Sequence, residues 1–244
     1  MNVETRGGPG THDRGPDGGG PHGAQKPPSP RTAALVAGLS VVVIAVSAWV
    51  AAQPGADRAQ TGVVTWLNHP PQPLAAVLAG TNPLFRPLPL TFVVLALAGW
   101  VLITAAGARA RWEVLRAGTV GVLLAELIAQ PLKRAAGQAR PTASIAGLNT
   151  HGYPKDPFGH AYPSAHTSVA VGVVCALWPW MRTSQRVAGV TVAVLVALNR
   201  VYIGAHWPVD LLGGAAIGLL SGSSCWLIAT RWPIASREQR SGNI

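Results

Sequence analysis

The chain of 244 residues is long enough for one large domain, and its composition points to a membrane. Hydrophobic residues make up 49% of it and charged residues only 11%, against about a quarter in soluble domains. The net charge of +10 does not indicate a nucleic-acid partner, because the cations separate apolar runs and form no basic stripe interleaved with aromatic residues. We therefore exclude a nucleic-acid-binding protein and expect an integral membrane protein.

The chain begins with a polar segment that contains eight glycines within its first 31 residues. Such a segment cannot bury enough apolar surface to offset the entropy lost on ordering, so we predict a disordered cytoplasmic tail over 1–31. A membrane domain over 32–230 follows, and residues 231–244 form a second cytoplasmic tail.

The membrane domain contains six apolar runs of about the length that crosses a bilayer. We expect an all-α, polytopic bundle of six transmembrane helices. A Trp stands at or near the end of several runs, as is typical of interfacial aromatic belts: Trp49, Trp112, Trp178, Trp180, Trp207 and Trp232. The six runs cover 32–52, 87–106, 113–132, 164–181, 187–203 and 208–230.

Residues 62–80 lie between the first two runs and are interrupted by Asn68 and three prolines. Proline lacks the backbone N–H that a continuous helix needs. We expect a loop here, with a short helix lying on the membrane surface.

Lysine and arginine set the orientation of the bundle. With the N-terminus inside, most of the 19 cations fall in cytoplasmic segments. The pattern therefore predicts a multi-pass plasma-membrane protein with both termini in the cytoplasm. The last run also carries Gly214, Gly218 and Gly222 at four-residue spacing, with Gly213 beside them, and we expect this ridge to pack against a helix of the same chain.

Three polar blocks lie at ends of apolar runs in the second half of the chain, and the predicted topology places all three on the outer face. The third block runs from Asn199-Arg200 to His206 and Asp210. His206 and Asp210 are four residues apart and would share a helix face, so Asp210 can orient the imidazole for nucleophilic attack. Arg200 can hold two oxygens of a phosphate. For this block alone, the better interpretation is a histidine and an aspartate at a helix start, with Asp210 as an ordinary acid of the first turn.

The second block is Pro163-Ser164-Ala165-His166 and predicts the start of a helix. Ser164 is a good N-cap, and the N–H groups that follow it form a natural site for an anion. His166 would stand beside that anion as a general acid. A capped helix with a polar histidine at the interface is the alternative.

The first block contains Lys133, and after six further residues Arg140-Pro141. Pro141 disfavours helical geometry at Arg140. Both cations could be side chains that extend from the membrane to the interface, as we expect for Arg134.

Taken together, in this order and spacing, the three blocks resemble the type 2 phosphatidic acid phosphatase superfamily of integral-membrane lipid phosphatases. The resemblance implies that His206 is the nucleophile, that Asp210 orients it and that His166 protonates the leaving group. It also implies that the phosphoryl oxygens are held by Lys133, Arg140, Ser164, Ala165 and Arg200. It implies no metal ion and no cofactor.

Two residues depart from the pattern of this superfamily. Ala165 replaces the usual Gly, and its methyl could crowd a phosphate; Asn199 replaces the usual Ser and keeps a hydrogen-bonding side chain. Glu126 lies about two turns deeper than Lys133, and it either supports a cation of the site or pairs within the bundle.

The expected function is hydrolysis of a lipid phosphate or diphosphate at the outer face, through a phosphohistidine. Polyprenyl diphosphate, phosphatidic acid, phosphatidylglycerol phosphate and a polyprenyl-linked sugar phosphate all fit as substrates. A phosphotransferase of the same family is the main alternative, and an anion transporter is a further one. The expected partners are the lipid substrate and the bilayer, and the sequence leaves the oligomeric state open.

Overall fold

A computed structural model describes residues 28–105, 107–152 and 159–231. Within these ranges the chain is all-α, as predicted, with one isolated bridge between Ala139 and His160. Apart from 28–31 and 231, the two predicted tails and Trp232 lie outside the described residues. The α-helices are α1 (Pro30–Ala51), α2 (Ala56–Asn68), α3 (Leu74–Thr81), α4 (Pro87–Thr104), α5 (Gly107–Ala136), α6 (Pro141–Ser144), α7 (Ala165–Leu177), α8 (Thr183–Tyr202) and α9 (Pro208–Arg231).

All six predicted runs are helical, but they differ in how well they suit a bilayer. Among the described residues, α1, α4 and α9 are both long and apolar enough to cross it. Helices α5 and α8 have 30 and 20 residues but are more polar. Helix α7 has 13 residues and continues as a short 3₁₀ turn, Trp178–Trp180. Six crossings therefore remain a prediction.

The segment over 62–80 is more helical than expected. It belongs to two helices, α2 and α3, rather than to a loop with one short helix. The break between them contains Pro70, Pro71 and Pro73, which cannot supply backbone N–H groups to a continuous helix.

Helices α7 and α9 form the centre of the bundle. Helix α1 packs along α9, α5 contacts both central helices, and α4 and α8 flank them. A Cβ atom on Gly218 would lie 2.7 Å from both the Gly172 nitrogen and the Ser168 carbonyl oxygen. The predicted packing of the glycine ridge within the chain is therefore confirmed.

The peripheral helices expose large apolar side chains. Leu35, Ile103 and Leu127 are each more than 70% exposed, which is typical of a surface that faces lipid. Trp49 and Trp112 are exposed too, as an interfacial belt requires. The assignment of Trp207 to that belt was wrong, because its side chain is fully buried.

Candidate active site

Two main-chain hydrogen bonds position the second and third polar blocks, one between the two blocks and one within the third. The Ser164 N–H donates to the Asp210 carbonyl oxygen at 3.1 Å, which ties the start of α7 to the first turn of α9. The His206 N–H donates to the Arg200 carbonyl oxygen at 3.2 Å, which folds the α8–α9 turn back on the end of α8. The relative positions of these blocks are therefore fixed by the backbone.

His206 lies in this turn, two residues before α9 begins, so the prediction that it shares a helix face with Asp210 was wrong; its ring nevertheless contacts Asp210. The distance from His206 Nδ1 to Asp210 Oδ2 is 3.3 Å, and both side chains are buried. The same Oδ2 accepts the Trp207 N–H at 2.7 Å. Because Nδ1 faces the carboxylate, Nε2 is the nitrogen left for chemistry.

Charges from all three blocks act on His206. Its pKa is lowered well below the ordinary value, first by burial and then by the positive charges of Lys133 and Arg140, with further contributions from His166 and Arg200. A lowered pKa favours the neutral imidazole, which is the form with a lone pair for attack.

Ser164 caps α7 as predicted. Its Oγ accepts the Thr167 hydroxyl at 3.0 Å and the Thr167 N–H at 3.5 Å. The N–H groups of Ala165 and His166, in the first turn, have no carbonyl partner within the helix. The structure thus supplies the backbone donors that an anion at this helix start would use.

His166 follows at the second position of α7 and faces a cavity of about 420 Å³ that Lys133 and Ala165 also line. The buried Nε2 of His166 has no hydrogen-bond partner among the described residues. A buried polar nitrogen normally has a partner, so a ligand in this cavity is a natural one.

Arg200 is almost fully buried at the end of α8. Its Nη2 donates to Asn199 Oδ1 at 2.7 Å, and Asn199 Nδ2 donates to the Leu78 carbonyl oxygen of α3 at 3.3 Å. Asn199, which replaces the usual Ser, therefore holds the Arg200 side chain in place. Arg140 has the extended backbone expected before Pro141.

The other departure, Ala165, lies in a packed environment. Its side chain contacts the apolar cluster of Ala125, Ala129 and Ile217, contributed by α5 and α9. The methyl therefore has a role in helix packing beside the site.

Three residues to which the sequence assigned no role at the site make hydrogen bonds around it. Trp207 Nε1 donates to the Ala139 carbonyl oxygen at 2.9 Å, beside Arg140. Gln60 Oε1 of α2 accepts the Val209 N–H at 2.8 Å, in the first turn of α9. Asp57 Oδ1, one turn earlier in α2, accepts from Gln138 Nε2 at 3.0 Å. Their partners are distant in sequence, so no local pattern indicates these contacts.

Gly204 shapes the turn between Arg200 and His206. Its φ is +68°, and a Cβ there would lie 2.5 Å from Leu148 Cδ2 and 2.8 Å from Thr142 Cγ2. Both the left-handed backbone and the close approach require glycine. The only indication of this turn in the sequence was the position of Gly204 between Arg200 and His206.

The side chains around His206 suit an anion better than a cation, because arginine, lysine and imidazole outnumber the single carboxylate. Within 28–105, 107–152 and 159–231, no three His, Cys, Asp or Glu side chains form a group that could hold a metal ion.

Comparison with known proteins identifies relatives of the chain. Residues 115–233 match the model of the PAP2 superfamily. A lipid A 1-phosphatase of Rhizobium etli is 34% identical over 135 residues, which are 48% of this chain and 55% of the relative. A decaprenylphosphoryl-5-phosphoribose phosphatase of Mycobacterium tuberculosis is 30% identical over 51% of this chain and 68% of the relative. The match thus spans about half the length of the first relative and two thirds of the second.

A solved structure shares the fold. The transmembrane PAP2-type phosphatidylglycerolphosphate phosphatase of Bacillus subtilis superposes with a TM-score of 0.60 at 19% identity. The superposition covers 85% of this chain and 98% of that protein.

Proposed function

The chain belongs to the PAP2 superfamily, and from this premise we propose that it is a metal-independent phosphatase of lipid phosphates or lipid diphosphates. The main support for the proposal is the environment of His206. Asp210 contacts its Nδ1, which leaves Nε2 available. The positive charges of Lys133, Arg140 and Arg200 act on the same ring. The relatives' names agree in substrate type, since both act on phosphorylated lipids.

In the first step, the His206 Nε2 lone pair attacks phosphorus. The bond from phosphorus to the lipid oxygen breaks, and the leaving oxygen takes a proton from His166. Lys133, Arg140, Arg200, the Ser164 hydroxyl and the Ala165 N–H hold the equatorial oxygens, where negative charge is concentrated in the transition state.

In the second step, water cleaves the phosphohistidine. His166, neutral after the first step, accepts a proton from the water, whose oxygen attacks phosphorus. The bond from phosphorus to His206 Nε2 breaks and the imidazole lone pair is restored. Inorganic phosphate leaves, and both histidines return to their starting protonation states.

The proposed location is the outer face of the plasma membrane, with both termini in the cytoplasm. A site at the rim of the bilayer lets water reach the phosphate while the hydrocarbon chain stays in lipid. The excess of cations in the predicted inner segments supports this orientation.

The proposal is tested by phosphate release from the purified full chain, in EDTA, across the four candidate lipids. We expect wild-type activity on at least one lipid and a loss of more than about a thousandfold in kcat for His206→Ala, because the nucleophile is gone. His69→Ala, which changes an exposed histidine at the end of α2, is the matched control and should keep full activity. Equal activity of His206→Ala and wild type, or a strict need for Mg²⁺, would contradict the proposal.

A further inference from the structure

The cavity beside His166 extends away from the phosphate-binding residues, down between α4 and α5. A second cavity of about 440 Å³ shares Val94, Leu95 and Val122 with the first one, which measures about 420 Å³. The two cavities therefore adjoin, and together they are here called the α4/α5 groove, with Lys133 and His166 at its upper end and these three shared residues at its middle.

The upper part of the α4/α5 groove is polar on one wall. Glu126, Gln130 and Lys133 lie at successive turns of α5, and all three line the first cavity. Gln130 is about 4.5 Å below Lys133 along the helix axis, and Glu126 is about 10 Å below it. Gln130 Nε2 donates to Glu126 Oε2 at 2.7 Å.

The lower part of the groove is apolar and wide. It is lined by aliphatic residues, by Thr119 and by Gly99 and Gly118. A Cβ atom on Gly99 would meet nothing within 4 Å, and one on Gly118 would meet only Leu177 Cδ2, at 3.7 Å. A hydrocarbon chain fits such a space.

The Glu126 carboxylate is unfavourable in free energy at this position, and hydrogen-bond donors on a ligand would reduce that cost. It lies in a predicted span, where an acid is expensive, and its negative charge repels the phosphate that the neighbouring cations would hold. It can accept more hydrogen bonds than the one from Gln130. Hydroxyl or amide N–H donors on a ligand would satisfy it, whereas a hydrocarbon chain would not.

Resting on the phosphatase function proposed above, we propose that the α4/α5 groove binds the lipid part of the substrate, with Glu126 and Gln130 recognising hydroxyl or amide N–H donors next to the phosphate. The favoured substrate class is then a glycolipid phosphate, in which a sugar stands between the phosphate and the chains. In a polyprenyl phosphate, by contrast, the chain begins at the phosphate itself, and only hydrocarbon would face Glu126.

The test compares two monophosphates, an N-acylated glucosamine 1-phosphate lipid and a polyprenyl phosphate, on the purified full chain. Glu126→Leu should lower kcat/KM at least tenfold on the glycolipid and change it less than twofold on the polyprenyl phosphate, because only the glycolipid donates to the carboxylate. Glu126→Gln, which keeps an acceptor oxygen, should recover part of the loss. Glu113→Leu removes a carboxylate of the same helix that pairs with Arg109 outside the groove, and it should leave the ratio of the two activities unchanged.

The lower part of the groove is tested by chain length. Gly99→Leu fills the groove and should raise KM several-fold for a long-chain glycolipid but not for a short-chain one. Gly38→Leu on α1 is the matched control, since a Cβ there also meets nothing within 4 Å. Equal effects of the two variants would overturn the assignment of the chain to this groove.

The outcomes separate the two proposals. A wild type that hydrolyses no lipid phosphate refutes the phosphatase function. A wild type that is active, but in which Glu126→Leu changes both substrates equally, refutes the groove proposal and leaves the phosphatase function in place.

Discussion

Asp210 uses one oxygen for two tasks. Its Oδ2 accepts the Trp207 N–H, which fixes the turn before α9, and it also contacts His206 Nδ1. The carboxylate therefore holds the backbone that carries the histidine and also sets the tautomer of its ring.

Replacing Asp210 by Asn should separate these tasks. The amide oxygen can still accept the Trp207 N–H, but the amide carries no charge to stabilise the positive charge that develops on His206. We expect Asp210→Asn to lower kcat by about a hundredfold or more with little change in KM, measured by steady-state phosphate release. A fall of less than threefold would contradict the orienting role.

The lowered pKa of His206 predicts how activity depends on pH. In the proposed mechanism the neutral ring is the nucleophile, so activity falls as the pH drops through the pKa of this ring in the free enzyme. Since burial and the neighbouring cations lower that pKa, the acid limb of kcat/KM should lie well below pH 6.5, after correction for ionisation of the substrate.

The charge contribution to this shift can be tested by removing one cation. Lys133→Met should move the acid limb upward, because Lys133 is the first of the charges that lower the pKa of His206. Arg134→Met removes an exposed neighbouring cation and should move the limb less. An acid limb at or above pH 6.5 in the wild type would contradict the shift.

At this scale the sequence predicts contacts within a block and misses contacts between distant segments. The contact of His206 with Asp210 was predicted, but from a shared helix face, whereas His206 lies in the turn before α9 and meets Asp210 across the start of that helix. Ser164 was identifiable as a cap. The bonds of Trp207 to Ala139 and of Gln60 to Val209 join residues 68 and 149 positions apart. Only the packed helices bring those partners together.

At the scale of elements, the α7–α9 interface depends on the absence of side chains. The backbones approach so closely at Gly218 that an added methyl would meet main-chain atoms of Gly172 and Ser168. Main-chain atoms of a packed helix cannot move aside as the end of a flexible side chain can.

We therefore expect Gly218→Ala to lower the free energy of unfolding by about 1–3 kcal/mol. The matched variant Gly38→Ala, on α1, meets nothing within 4 Å and should be neutral or slightly stabilising, because alanine favours a helix over glycine. Denaturation in detergent micelles measures both. Equal stability of the two variants would show that the helices can separate at no cost.

The positions of the helices followed from apolar runs and prolines, but their exact extents did not. Helix α7 ends at Leu177, before the Pro179 turn, and is shorter than the run over 164–181. Helix α2 begins at Ala56, in a polar stretch whose helicity depends on contacts with the loop around Gln138 and with α9. A hydropathy pattern contains no information on such contacts.

For the whole molecule, the proposed orientation predicts which introduced cysteines are accessible from outside the cell. Ala146→Cys, in the exposed loop after α6, should react with an impermeant maleimide in intact spheroplasts. Ala108→Cys, exposed at the start of α5, should react only after permeabilisation. The native cysteines, Cys175 and Cys225, are buried and give a low background. The reverse pattern of labelling would place the site in the cytoplasm.

The convergence of three cations on His206 has a consequence for turnover. Orthophosphate carries the same tetrahedral oxygens as the group that is attacked, so the residues that hold the one also retain the other. The phosphate product must therefore dissociate against the attraction of the same positive charges that would bind the substrate. On the proposed mechanism, departure of this ion limits the cycle, and added orthophosphate slows turnover.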